Sequence, residues 1–431
     1  MRAIGPILVL ALLRAQATGP PLAPEVLALA HASRLVRATV AALANCACLE
    51  SVIRSTTDKS GKLKREKHDT LQIEATTIGD REWFSWPGGE DAFVEDPRAL
   101  VSFGLINTGQ LTSILKTVFL SGYAVRKFHG VGTFRARAAL QFDYAVSPVF
   151  TRFLVSSPEG SVRAGMKGTF WIDAANAELL ALSNEATEIP ADFDVRSART
   201  EVIYAPMYLE DRRVVLPQTS TTVVGNATGE VSMNQVEFSH CRPYSSTSVI
   251  RFGDEAAAAP AAAPVHREQP PVPAGLTLHL RLGSPLNART AVGERFSLIM
   301  EAETRSHGDT IIAKGAKVEG RVRWIESTEC PSPCLALAIE LLSVTTPDGT
   351  SRPVYASLRQ VTPESKVSLD VTAAARKRTT LPFGRQEPQL SALSLGMPKI
   401  PGVGNFVVLT PDLRTPLDFS MTWTTESPRR P

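Results

Sequence analysis

Phe134-Arg-Ala-Arg-Ala-Ala-Leu-Gln-Phe-Asp-Tyr144 decides the reading of the fold. Phe134, Ala136, Ala138, Leu140, Phe142 and Tyr144 fill every second position, opposite Arg135, Arg137, Gln141 and Asp143. A period of two places successive side chains on opposite faces of an extended chain, so the stretch reads as one long antiparallel strand with an apolar and a wet face. Working outward, Gly168–Asp173 and Glu178–Leu182 around Ala174–Ala177 read as a hairpin. Strands are expected over about Thr200–Leu209, Val214–Val224 and Gly229–Cys241. Upstream, Leu71, Ile73 and Ala75 alternate, and Arg81–Trp86 ends at the turn residues Pro87-Gly88-Gly89.

Two helices interrupt this pattern. Between Pro24 and Asn45 the apolar residues Val26, Leu27, Leu35, Val36, Val40 and Leu43 recur at helical spacing, with His31, Arg34 and Arg37 among them. Those polar residues mark a packed surface helix rather than a membrane span. Thr108–Leu120 reads as a second helix with Leu111, Ile114, Leu115, Val118 and Phe119 on one face. The expected architecture is a long, curved antiparallel sheet with two helices packed against one face.

Residues 1–17, MRAIGPILVLALLRAQA, read as a secretory signal: a positive start at Arg2, an apolar stretch from Ala3 to Leu13, and Ala15-Gln16-Ala17 as a small-x-small cleavage site. The apolar stretch of about 11 residues is too short to span a bilayer, which needs roughly 20. No cysteine follows the cleavage site, so a soluble or peripherally attached exported protein is expected, in the periplasm or at the outer-membrane periphery, with no transmembrane span after signal cleavage.

Glu255–Pro273, EAAAAPAAAPVHREQPPVP, has little to bury and reads as a stiff Ala/Pro linker. The expected plan is a signal peptide (1–17), the curved sheet with its helices (18–253), the linker (254–273), an all-β module (274–425) and a disordered tail (426–431). The module rests on alternation at Leu276–Leu282, Phe296–Met300 and Val318–Trp324, with turns at Asn287, Lys314-Gly315 and Pro347-Asp348-Gly349, as in a small barrel or sandwich. Arg376–Leu395 reads as a long loop.

The chain has 431 residues, with 46 Lys+Arg against 43 Asp+Glu and a net charge of +3. That balance argues against a nucleic-acid binder, whose affinity comes from neutralising phosphates. No Gly-x-Ser-x-Gly elbow, His-Glu-x-x-His, P-loop or calcium-loop pattern occurs. Asp192 and Asp194 suit a turn better than acid–base work. His240 beside Cys241 lacks a third ligand nearby. No catalytic residue, metal site or cofactor is expected. The five cysteines Cys46, Cys48, Cys241, Cys330 and Cys334 are, in an exported chain, disulfide candidates first. Cys330-Pro-Ser-Pro-Cys334 suits a local bridge; Cys46 and Cys48 share one face of any strand and are expected to pair elsewhere.

The stretches Asn45–Arg54, Trp83–Gly88, Val118–Gly122, Gly168–Asp173 and Phe238–Arg242 come in an order that resembles a family of exported proteins of Acidobacteria-type bacteria. The N-terminal half (18–253) is similar in architecture to the periplasmic lipoprotein carriers, which implies a half-barrel of antiparallel strands closed by helices. The C-terminal half, through Ala274–Leu278, Thr290–Phe296, Ile312–Ala316, Gly320–Val322, Pro401–Phe406 and Met421–Trp423, resembles a small β module of envelope proteins, loosely like the barrel of conjugation-channel proteins; the Cys330–Cys334 loop is an insertion. The resemblance implies a Cys48–Cys241 disulfide, with Cys46 left over. It also implies a non-enzymatic envelope protein whose apolar face, with Phe134, Leu140, Phe142 and Tyr144 as candidates, holds a lipid, an acyl chain of a lipoprotein or a segment of an envelope partner. A scaffold with a filled core is the alternative, and a hydrolase with dispersed catalytic residues a third.

Overall fold

The computed structural model describes residues 22–44, 46–57, 66–78, 81–88, 93–101, 105–106, 111–157, 159–209, 212–243, 269–330, 332–346, 349–362, 397, 400–409 and 417–428. The signal, most of the Ala/Pro stretch and the loop at 376–395 lie outside the described residues, as do the side chains of Cys330 and Cys334.

The fold is mainly β with two helices, and its first sheet is a curled half-barrel. Helix α1 (Pro24–Leu43) begins with proline at its first turn, where the missing N–H costs nothing. It buries Ala32, Val36, Thr39 and Leu43, a single stripe at helical spacing. By length and composition, with a mean hydropathy of 1.4, it could cross a membrane; in this fold its buried stripe lies on the sheet, and Thr39 Oγ1 donates to the Val215 carbonyl at 3.2 Å.

Three strands follow: β1 (Cys46–Thr57), β2 (Glu66–Ile78) and β3 (Arg81–Ser85). Then comes α2 (Ser113–Leu115), which runs on as a π-helical turn over Lys116–Leu120. Residues 108–110 of the expected helix lie outside the described residues, and Leu111 and Thr112 form a turn rather than helix. The backbone N–H groups of Leu111 and Thr112 donate to the Glu82 carboxylate at 3.0 and 3.1 Å, which fixes the start of the helical segment there.

The rest of the sheet comprises β4 (Val125–Phe134), β5 (Arg137–Val146), β8 (Gly165–Asp173), β9 (Leu179–Thr187), β10 (Val195–Leu209), β11 (Arg212–Asn226) and β12 (Val231–Pro243), with a small ribbon of β6 (Leu154–Ser157) and β7 (Gly160–Arg163) beside it. The strand order is β3-β2-β1-β12-β11-β10-β9-β8-β5-β4. All ten strands pair antiparallel, and β1 crosses to β12 to join the first three strands to the rest.

The stretch Phe134–Tyr144 is not one strand. Arg135 and Ala136 have φ of 45° and 66° and form the tight turn between β4 and β5. Such a two-residue turn matches the twist of its strands, and an alternating sequence can run through it without a break. Phe134 therefore pairs with Arg137 and belongs to the outer face, where its ring meets Trp171 at 5.5 Å. The alternation holds from Leu140 to Tyr144.

The second sheet contains β13 (Thr277–Leu282), β14 (Arg295–Met300), β17 (Lys317–Cys330), β18 (Ser332–Thr345), β19 (Ser351–Pro353), β20 (Ala356–Thr362), β21 (Val403–Leu409) and β22 (Ser420–Thr425); β15 (Thr304–Ser306) and β16 (Asp309–Ile312) form a separate ribbon. Its order is β19-β18-β17-β14-β13-β22-β20, with β21 also on β18. A Cβ on Gly404 of β21 would lie 2.7 Å from Leu358 Cβ of β20, so the two ends of the sheet approach each other as in a small barrel.

The two sheets share one apolar core running from Leu43, Leu71 and Phe84 to Leu298, Val322 and Trp423. Gln72 N–H donates to Val292 O, and Val292 N–H to Thr70 O, each at 2.7 Å. Gly293, at φ 91°, lies so close that a Cβ would press on the Gln72 carbonyl and the Trp86 ring. Trp86 carries the guanidinium groups of Arg321 and Arg323 over its ring at 5.4 and 4.9 Å, and Arg323 reaches Glu340 at 2.8 Å. Arg295 Nε donates to Pro87 O at 3.1 Å.

Candidate functional site

The helix-covered face of the ten-stranded sheet is crossed by two adjacent rows of side chains, each set by strand register. The first is apolar for most of its length: Phe128, Phe142, Phe170, Leu182, Val202, Ser220, Val236, Val52 and Leu71 are successive partners across nine strands. Phe170 lies at its centre, stacked on Phe142 at 5.1 Å and met by Phe119 of the π-turn at 4.7 Å. Ala32 and Val36 of α1 and Ile114, Leu115 and Val118 of the second helical segment complete this cluster.

Two residues further along each strand runs a polar row: Arg126, Tyr144, Gly168, Asn184, Thr200, Thr222, Asn234 and Arg54. Apart from Arg126 and Gly168, its members are buried. Tyr144 OH reaches the Ser183 carbonyl and Asn184 Oδ1, both at 3.0 Å, and the hydroxyls of Thr200 and Thr222 meet at 2.9 Å. Asn234 Nδ2 donates to Leu105 O at 2.9 Å. Four buried atoms on this face have no hydrogen-bond partner among the described residues: Asn184 Nδ2, Tyr204 OH, Ser220 Oγ and Asn234 Oδ1. Folded proteins satisfy nearly all such atoms, because an orphaned polar group in a dry core costs about 1–3 kcal/mol.

Near the start of α2 the same face buries two carboxyls, Glu50 and Glu82. Burial, helped by the neighbouring Glu82, pushes the Glu50 carboxyl well above the ordinary range, which favours the neutral acid. Burial likewise raises the Tyr144 and Tyr204 hydroxyls, which stay protonated. The consequence for stability has a definite sign. Above the ordinary carboxylate pKa the unfolded chain releases the Glu50 proton while the folded chain keeps it, so stability falls as pH rises, by up to about 1.4 kcal/mol per pH unit. Glu50→Gln is expected to remove this decline and to be more stable than the parent at neutral pH. Urea midpoints of both proteins between acid and neutral pH test it; parallel profiles would refute the assignment.

Two depressions of about 440 and 400 Å³ open on the surface. The first is bordered by Arg137, Asp173 and Ala175; the second by Asp143, Lys167, Glu185 and Arg199, with Gly168, Tyr144 and Asn184 beside them. Neither is lined by Phe142, Phe170, Leu182 or Val202. No group of three or more His, Cys, Asp or Glu suited to a metal occurs among the described residues. Asp192 and Asp194 lie in the turn before β10.

Of the residues singled out from the sequence, Phe142 and Tyr144 lie fully buried on the inner face, Leu140 packs against their cluster half-buried, and Phe134 faces outward. Cys48 and Cys241 are joined by a disulfide that ties β1 to β12. Cys241 is thereby committed, which removes the metal or thiol reading of His240-Cys241. The Cys46 side chain is buried, and its Sγ donates to the Ala42 carbonyl at the end of α1 at 3.0 Å. The polar row was not visible in the sequence. The nearest signal is in β10, where Thr200, Val202 and Tyr204 alternate with Arg199 and Glu201; charged residues on one parity assign the hydroxyls to the other.

No family model and no curated protein matches the chain. Among solved structures, an outer-membrane lipoprotein-sorting protein domain from Vibrio parahaemolyticus aligns at 8% identity with a TM-score of 0.25, over 50% of this chain and 91% of that one. A DUF1329 family protein from Desulfovibrio piger aligns at 10% identity with a TM-score of 0.27, over 52% of this chain and 94% of that one.

Proposed function

We propose that the protein is an exported, non-enzymatic envelope protein whose half-barrel holds an amphiphilic guest between sheet and helices. The guest is a lipid, an acyl chain or an apolar partner segment. In this reading residues 1–17 are removed on export, 18–253 grip the guest, 254–273 act as the linker, and 274–425 dock to another envelope component. The observation that carries it is the polar row beside the aromatic row. A face built only to be filled has no use for Asn184, Ser220, Tyr204 and Asn234, each with a buried atom that lacks a partner among the described residues. An amphiphile offers both kinds of surface to the two rows. Export is supported by the signal pattern at the N-terminus and by the Cys48–Cys241 bridge, since such bonds persist in oxidising compartments.

A second reading, a structural envelope protein with a filled core, is favoured by the tight packing of Phe119, Phe142 and Phe170. Protein unfolded, stripped of lipid, refolded under oxidising conditions and incubated with a bacterial lipid extract separates the two by native mass spectrometry. Acyl species released only on denaturation support carriage; none in repeated trials with folded protein selects the filled core. Turnover abolished by a single polar substitution would be required to revive a hydrolase.

A further inference from the structure

Among the described residues β4 is one of the two edge strands of the ten-stranded sheet, and at its start the surface is unusually apolar. Tyr123 and Val125 lead into β4, Val149 and Phe150 follow β5, and Leu154 opens the adjoining ribbon; all five are between about half and three-quarters exposed. Tyr123 and Phe150 stack face to face, with ring centres 4.5 Å apart and planes 3° from parallel. Single exposed apolar residues are ordinary, but a cluster built around a stacked aromatic pair marks a contact surface.

The charges in the same segments are mostly positive. Lys127 lies exposed in β4, Arg152 close to Phe150 in sequence, and Arg163 across the ribbon from Leu154, whereas Arg126 turns to the covered face and donates to the Phe119 carbonyl. The acids nearby are Glu159, Glu188 and Asp143, the last already paired with His129 at 2.9 Å. Ala28, Leu29 and Ala32 of α1 belong to the core cluster that contains Phe119, Leu120 and Ala124. Val26 and Leu27 in its first turns, and Leu22 just before it, are exposed.

We propose that this rim is a docking surface for an anionic lipid bilayer. The aromatic pair and its aliphatic neighbours enter the headgroup region, and the cations meet lipid phosphates. Tyrosine suits this place because its ring is apolar and its hydroxyl stays wet. The assignment does not depend on a guest in the half-barrel, although a carrier would load from such a surface.

Co-sedimentation of the chain from Thr18 onward with vesicles of phosphatidylcholine, and of phosphatidylcholine with phosphatidylglycerol, tests it. Binding is expected to the anionic vesicles, weakened by salt, and about tenfold or more weaker for Tyr123→Ser/Phe150→Ser. Arg152→Gln/Arg163→Gln is expected to lose the preference for phosphatidylglycerol. Thermal midpoints close to the parent's show that the variants fold; if the aromatic pair is needed for folding, Val125→Ser/Val149→Ser replaces it. No binding of the parent to anionic vesicles, or equal binding by a folded rim variant, overturns the proposal. Guest retention in native mass spectrometry is read separately, so failure of docking and failure of carriage are distinguishable.

Discussion

Phe170→Ala is expected to cost about 3–5 kcal/mol, the range for removing a large aromatic side chain from a close-packed core. The ring is fully buried and touches rings from two directions, Phe142 in the sheet and Phe119 in the helical lid. Its loss leaves a void that the neighbouring strands, held in register on both sides, can close only in part. Against a typical total stability of about 5–15 kcal/mol, much of the margin goes. Urea unfolding at fixed pH measures it through the midpoint, with the slope checked for two-state behaviour. A cost below about 1 kcal/mol would mean that the aromatic row is open in solution rather than packed.

Removing the Cys48–Cys241 bridge is the second large effect. The two residues are 193 positions apart, so in the chain-entropy account the bond excludes about 5 kcal/mol of unfolded-state freedom. Measured effects are commonly about 2–4 kcal/mol, and β1 and β12 are also held by a long run of pairing. Cys48→Ala/Cys241→Ala is expected to lose stability within that span, and a reductant should bring the parent to nearly the same midpoint. Alanine is the suitable replacement because Cys48 is fully buried and a serine hydroxyl there would add a polar group to desolvate. Non-reducing peptide mapping checks the premise: both cysteines found as thiols in exported protein would reject the pairing.

The sheet, its helices and most strand positions were legible because they rest on periodicity. Period two is robust in β10, β11 and β12, where long strands carry it for many residues. It misled at Phe134, because a two-residue turn preserves the alternation while reversing the chain. The second helix began late because Glu82, far upstream in sequence, takes the N–H groups of Leu111 and Thr112; no local pattern announces that. The polar row was hidden for a different reason. Thr200, Thr222, Asn184 and Asn234 are each unremarkable in their own strands, and only pairing between strands places them side by side. The joining of the two sheets was equally invisible, since Trp86 and Arg321 are distant in sequence and meet only in three dimensions.

That joining makes β2 a shared lever. Leu71 ends the aromatic row on one side, and the very next residue, Gln72, is hydrogen-bonded to Val292, in the segment that leads into β14 of the second sheet. Gly293 permits no slack there, and Trp86 is clasped by two arginines of β17. A displacement of β2 that widens or narrows the first sheet cannot leave Val292 behind. In the proposed carrier, a guest that shifted β2 would therefore act, within a single peptide step, on the segment that leads into β14.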